Sequence, residues 1–249
     1  MMVTDGVLFK TVTILGTTKA ISFDDKVLSY FDIGPLRFVI TESILSLWLV
    51  MAVLIVFALI VRLKIKSFTD QPKGFQNFVE LLVESLDSFV GSSMGEKNRR
   101  FTPYFGSLFL LILLSNLSGL FGIRPPTANY SVPLGLSLIT FFLIHYFGIT
   151  TKGIGTYLKG YTEPAWPFTP LNIIGEIAKP FSLSFRLFGN IVGGTILMGL
   201  YYAMLPWFMK IGIPSLLHAY LDVFAGVLQA VVFTMLSMIF VSDVIVEES

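Results

Sequence analysis

The sequence contains no cysteine. That absence excludes disulfide staples, thiolate metal sites and cysteine nucleophiles. Histidine is nearly absent. His145 and His218 have no carboxylate or second histidine at ligand spacing, so both read as packing or interfacial residues and no metal site is expected. Charge is scarce: Asp, Glu, Lys and Arg make up 13% of the 249 residues, about half the usual share. The 17 basic and 16 acidic side chains sum to +1, which removes the electrostatic footprint of a nucleic-acid binder. No GxSxG, HExxH, phosphate-loop or dinucleotide pattern occurs, and without a phosphate loop the chain does not itself handle ATP.

What the chain has in abundance is apolar surface. Hydrophobic residues make up 54% and the mean hydropathy is +0.79. A soluble protein that apolar would aggregate, so the composition points to an all-α polytopic membrane protein. A span needs about 20 apolar residues. The first runs from about Phe38 to Val61, the second from Tyr104 to Ile123 and the third from Tyr130 to Ile149. Two long helices follow, over about residues 171–205 and 215–241, with Pro206 and Pro214 bracketing their connection. Helices of about 30 residues reach ~45 Å, more than the bilayer core, so these two are expected to tilt strongly or lie partly along the membrane. Residues 1–37 read as a polar N-terminal segment, and 38–249 as one helical membrane domain.

Between the first two spans, Phe75, Phe78, Val79, Leu82, Leu86, Phe89 and Val90 recur at helical spacing, with Gln76, Glu80, Glu84 and Asp87 on the other face. This predicts an amphipathic interfacial helix over 72–90, opened by Pro72 and stopped by Gly91. Thr150 to Pro170 is polar and rich in Pro and Gly. Basic residues concentrate after the first span (Arg62, Lys64, Lys66, Lys73, Lys97, Arg99, Arg100) and after the third (Lys152, Lys159). Those loops are therefore expected inside, with the N-terminus outside and the C-terminus inside.

A few charges sit within the spans. The fourth carries Glu176, Lys179 and Arg186, and the fifth carries Asp222 with Gln229. One Arg or Asp at mid-membrane costs ~2.5–3.5 kcal/mol on insertion scales. Arg186 lies too deep to snorkel and never deprotonates, so it must meet a carboxylate or water. The alternative to a functional role is a buried structural ion pair. Lys179, Ser182, Arg186, Asn190 and Gly193 form one polar, small stripe, and the Gly189/Gly193 pair admits a close helix. That face suits a partner helix that carries an acid and moves past. Asp222, Gly226 and Gln229 repeat the pattern on the last helix. Two readings of Asp222 stand open: a titratable proton relay, or a helix-end residue solvated at the outer surface. Glu176 and Lys179 are spaced to pair near the inner surface.

The stretch Lys179-Pro-Phe-Ser-Leu-Ser-Phe-Arg186-Leu-Phe-Gly-Asn190 resembles the signature of subunit a of the F-type ATP synthase. Pro72-Lys-Gly-Phe-Gln-Asn77-Phe-Val-Glu80, Asn116-Leu-Ser-Gly-Leu120, Pro126-Thr-Ala-Asn129 and Leu228-Gln229-Ala230 with Phe233 match other parts of that family in order, from Phe38 to the C-terminus, and look more bacterial than mitochondrial. The resemblance implies a non-catalytic, cofactor-free channel subunit beside a rotating ring of hairpin subunits. It also implies a peripheral-stalk membrane subunit as neighbour and a soluble ATPase head as an indirect partner, in an energy-coupling membrane such as the bacterial plasma membrane. It implies two half-channels carrying protons or sodium ions to and from the ring carboxylates, with Arg186 separating them. Many members carry Glu or His nine residues after the arginine, where this chain has Thr195. The relay role then falls on Asp222, helped by water, Gln229 and Asn190, with Glu176 on the inner half-channel. Ser182, Thr195, Asn116 and Lys179 are further candidate lining residues.

Two other classes fit the residues less well. A stand-alone secondary transporter with a midplane site at Arg186 and Asp222 would show paired repeats, and the sequence has none. An intramembrane hydrolase would need a base beside one of the serines, and no convincing one occurs.

Overall fold

A computed structural model describes residues 27–33, 36–163, 165–204, 217 and 219–245. His218, Pro206, Pro214, Lys210 and the expected start of the last helix at Ser215 lie outside the described residues.

Strands β1 (Val27–Ile33) and β2 (Leu36–Thr41) pair antiparallel, with Phe31 opposite Phe38, Tyr30 opposite Val39 and an irregularity between Val27 and Ser29. The first span therefore begins later than the apolar run suggested. Phe38 to Thr41 belong to β2, where Val39, Ile40 and Thr41 favour extended backbone, and helix α1 (Glu42–Lys64) starts at the acid that suits a helix N-terminus. At 1.5 Å per residue α1 is about 34 Å long, enough to cross the bilayer core. It turns Leu45, Leu49, Val53 and Val56 outward and keeps Ser43, Ser46 and Val50 inward. Lipid makes this inverted arrangement stable, since apolar side chains lose nothing by facing acyl chains and small residues allow close packing.

After α1 the chain reverses through Thr69, whose backbone N–H donates to Gln76 Oε1 (3.0 Å) while Gln76 Nε2 donates to Thr69 O (2.6 Å). Helix α2 (Phe75–Met94) begins after Gly74 and runs past the expected stop. Gly91 is buried inside α2, where a β-carbon would stand 3.3 Å from the Arg99 guanidinium. The true stop is Gly95, whose φ of 83° lies in the left-handed region that glycine adopts freely. Val79 and Val90 pack inward as the spacing predicts, joined by Met94 beyond the expected stop, whereas Phe75 and Phe78 stay exposed beside Phe57. Thr102 and Arg99 both hydrogen-bond Asp87, tying α2 to the start of helix α3 (Thr102–Leu117).

Helix α3 continues in a tighter turn to Phe121, and a short turn at Pro126–Ala128 leads to helix α4 (Ser131–Lys152). The polar segment after α4 folds helix α5 (Ile154–Gly160) back on it, with the Tyr157 ring so close to Gly148 that a β-carbon there would overlap it. Helix α6 (Thr169–Met204) spans 36 residues, about 54 Å, with Pro180 inside it. A wider π-type turn at Ala219–Phe224 precedes helix α7 (Ala225–Ile245). Helix α7 is the hub, touching α2, α3, α4 and α6. The core joins Phe105, Leu108 and Ile112 of α3, Ile144 of α4, Leu183 and Leu187 of α6, and Phe233, Met238 and Val241 of α7. Buried Ser137, Thr140, Ser184, Thr234 and Ser237 interleave with it, small enough for close helix contact. The all-α membrane architecture with five helices long and apolar enough to cross holds, with the β1–β2 hairpin as its one addition among the described residues.

Candidate functional site

Helix α6 splits its faces sharply around the stripe. Pro180, Leu183, Ser184 and Leu187 are buried against the bundle, whereas Ser182, Arg186 and Gly189 are exposed on the opposite side. Arg186 makes no hydrogen bond or ion pair with any described residue. Gly189 and Gly193 have open space where β-carbons would stand, so the GxxxG pair packs no helix among the described residues. Beside them Thr195 is exposed, and its hydroxyl donates to Ile191 O of its own helix (3.0 Å). A permanent cation therefore stands on a smooth outward surface, where bare lipid would be a poor neighbour for it.

The other in-span cation behaves differently. Lys179 Nζ lies 2.7 Å from Glu176 Oε2 and 5.2 Å from the Phe240 ring centroid. The pairing read from their spacing holds, and it leaves Glu176 Oε1 buried and without a hydrogen-bond partner among the described residues. Both side chains line a cavity of about 880 Å³ that also takes in Lys152, Tyr157, Tyr161, Asn172 and Val244, between the end of α4, α5, the start of α6 and the end of α7. A buried carboxylate oxygen without a donor at the edge of such a space is a natural partner for water or a transferred proton.

The cavity wall includes Tyr157 and Tyr161, which the sequence did not single out, and His145 reaches Tyr161 from behind it. His145 Nδ1 lies 2.9 Å from Phe141 O, which can only accept, so that nitrogen donates, and Nε2 lies 3.5 Å from the Tyr161 hydroxyl. Tyr161 in turn lies 3.0 Å from the Tyr157 hydroxyl. Burial raises the Tyr157 phenol pKa, with help from its Tyr161 hydrogen bond and the nearby Glu176 charge, so it stays a neutral donor at physiological pH. Asn172 Nδ2 donates to Tyr161 O and Glu163 O (2.9 Å each), fixing the loop to α6. The one hint in the sequence was Gly148, a residue small enough for α5 to fold onto α4.

Toward the other end of α6, Asn190 Nδ2 donates to Ala225 O of α7 (3.4 Å). Asp222 sits half-buried in the π-type turn, and Gln229 lies seven residues on. Gln229 is 8% exposed, and its Nε2 has no hydrogen-bond partner among the described residues. Asn116 is fully engaged elsewhere. Its Nδ2 donates to Gly226 O (3.0 Å) and its Oδ1 accepts from the Thr127 hydroxyl (2.9 Å). The structure thus brings Asn190, Asn116, Asp222 and Gln229 around the start of α7, and Glu176 with Lys179 at the opposite end. Arg186 and Ser182 stand on the outer face between the two groups. No cluster of metal-ligating side chains occurs among the described residues.

The family described as ATP synthase A chain matches residues 44–242. "ATP synthase subunit a 2" of Bradyrhizobium is 35% identical over 212 residues, covering 85% of this chain and 91% of that protein. "ATP synthase subunit a, sodium ion specific" of Propionigenium modestum is 34% identical over 224 residues, covering 84% of this chain and 75% of that protein. The chloroplastic subunit a of Stigeoclonium helveticum is 33% identical over 214 residues, 81% and 83% of the two chains. With a membrane-helical fold and most of its length matched, this chain belongs to the ATP synthase subunit a family.

Proposed function

We propose that this chain is the static ion-translocating subunit of a rotary ATP synthase, with no catalytic site of its own. Arg186 faces a ring of hairpin subunits, each carrying one membrane carboxylate. The observation that carries the reading is the contrast between the two cations of α6: Lys179 pairs with Glu176, whereas Arg186 has no ion-pair partner among the described residues and stands beside the open Gly189/Gly193 surface. An ionised carboxylate passing that surface would complete the pair, and small residues let its helix approach closely. Because guanidinium keeps its charge at every physiological pH, it favours the deprotonated carboxylate and blocks a direct proton leak past it.

Two polar approaches serve the two sides. The cavity at Glu176 and Lys179 opens to the end with the basic loops, which the Lys/Arg bias places inside. Asp222 and Gln229, held near Asn190, form the other half-channel, with the proton-relay role on Asp222. Each charge moved across 100 mV releases ~2.3 kcal/mol, which drives rotation rather than local chemistry. One relative is named sodium ion specific, so the same framework serves sodium ions or protons, the ring carboxylate site making the choice. A peripheral-stalk membrane subunit and the soluble ATPase head complete the assembly, in a bacterial plasma membrane with the C-terminus inside.

In vesicles reconstituted with the whole complex, Arg186→Ala is expected to abolish ATP-driven ion uptake, with the complex still assembled. Full coupled uptake by that variant would overturn the reading. A chain that purifies alone, with no ring or ATPase head, would favour a stand-alone transporter instead.

A further inference from the structure

Three observations meet at the start of α7. The π-type turn at Ala219–Phe224 gives way to regular α-helix at Ala225. The next two carbonyls, Ala225 O and Gly226 O, each accept a side-chain amide from a different helix, Asn190 of α6 (3.4 Å) and Asn116 of α3 (3.0 Å). Asn116 is 1% exposed and Thr127 fully buried.

The amide of Asn116 has only one workable orientation. The Thr127 hydroxyl donates to its Oδ1, and reversing the amide would set oxygen against the Gly226 carbonyl oxygen. Thr127 arrives from the short turn between α3 and α4, so a loop residue holds the amide oxygen while the acceptor-only Gly226 carbonyl fixes which way the amide points. Gly226 is part of the same device. A β-carbon there would stand 3.2 Å from Asn116 Cβ, so α3 and α7 approach at a distance any larger residue would have to widen. Helix geometry alone leaves rotation about α7 poorly defined where a wide turn meets a regular one, since the residues per turn change there. Two amides on successive carbonyls remove that freedom. Asp222 lies four residues before Gly226 and Gln229 three after, so the clamp holds the middle of the stripe that carries both.

We infer that Asn116, held by Thr127, is a positioning residue that sets the rotation of α7 and so aims Asp222 and Gln229, rather than a residue that lines the ion path. The inference rests on the ion-translocation reading for its consequence, though not for its geometry. Its partner on the other side is Asn190.

The test uses the reconstituted ATP synthase complex carrying Thr127→Val, which is nearly isosteric and lacks the donor, and Thr127→Ser, which keeps it. Thr127→Val is expected to lower ATP-driven ion uptake at least fivefold, and Thr127→Ser to restore it to within twofold of the parent. Asn116→Asp, which replaces the donor with an oxygen, is expected to fail at least as badly. Uptake within twofold of the parent for Thr127→Val, or for Asn116→Asp, would overturn the inference, because a group that merely lines a water path tolerates both changes.

A second measurement covers loss of assembly and needs no ion flux. The chain has no cysteine, so Ala230→Cys introduces a single thiol at a position with no exposed surface. In isolated membranes a small maleimide is expected to label it at least fivefold faster when Thr127→Val is also present, as α7 turns. Unchanged labelling overturns the clamp whatever Arg186→Ala does. Faster labelling with Arg186→Ala still fully coupled would leave the clamp standing and remove the ion-translocation reading.

Discussion

At the scale of single residues, the same chemistry takes opposite roles according to what faces it. Two cations seven residues apart on α6 share one stripe, yet Lys179 closes on Glu176 while Arg186 remains open to a neighbour. Spacing alone identified the stripe and the Glu176–Lys179 pair. It could not separate Asn116, fixed in a buried hydrogen-bond pair, from a polar residue beside water, because that depends on Thr127 and Gly226 arriving from elsewhere. Gly148 is a further case. A methyl group there overlaps the Tyr157 ring, and overpacking of this kind costs about 1–3 kcal/mol. Gly148→Ala is expected to lower the thermal stability of the purified complex accordingly, and Tyr157→Ala in the same chain to recover most of the loss. A double-mutant cycle without coupling would contradict the packing.

At the scale of elements, α2 shows what periodicity conveys and where it stops. Its apolar spacing predicted a helix and placed Val79 and Val90 inward, but Phe75 and Phe78 stay exposed and Gln76, read as the polar face, is buried. Its end was misplaced by one turn because Gly91 and Gly95 are equally good stops in a sequence. Only the approach of the Arg99 side chain reveals that Gly91 serves closeness and Gly95 serves conformation. The same junction carries a pH dependence. The Thr102 hydroxyl, and then Arg99, hold the Asp87 carboxyl below the ordinary carboxylate value. A depressed folded-state value means that the tie is complete above about 3.9 and is lost only as pH falls through the lower value. Protease cleavage of the Gly95–Phe101 linker should therefore stay slow at neutral pH and accelerate only in stronger acid. Asp87→Asn should accelerate it at neutral pH, and an identical cleavage rate would count against the tie.

At the scale of the whole molecule, the bilayer inverts the usual inside and outside. Helix α1 places apolar side chains on its exterior and serines against its neighbours. Val53, near the middle of α1 and half exposed, should face acyl chains. Val53→Arg is therefore expected to cost about 2.5–3.5 kcal/mol of membrane insertion. Leu63→Arg at the end of the same helix should cost close to nothing, since its long stem reaches the interface. An insertion assay comparing the two reads the difference directly, and equal insertion would place α1 inside a protein interface instead. The contrast also explains why Arg186, equally distant from the ends of its span, demands a partner.

Local pattern determined much of this protein: five apolar runs long enough to cross, an amphipathic helix, and a stripe with one cation too deep to reach water. These are legible because hydrophobic period and span length act within a few turns of the chain. The hairpin before α1 was hidden because a run such as Phe38 to Thr41 is equally apolar as strand or helix, and pairing with residues 27–33 decided it. The Tyr157, Tyr161 and His145 contacts, the Glu176 cavity and the clamp on Gly226 were decided by tertiary structure alone. Each joins groups from different helices, and the distance between them is set by packing rather than by position in sequence.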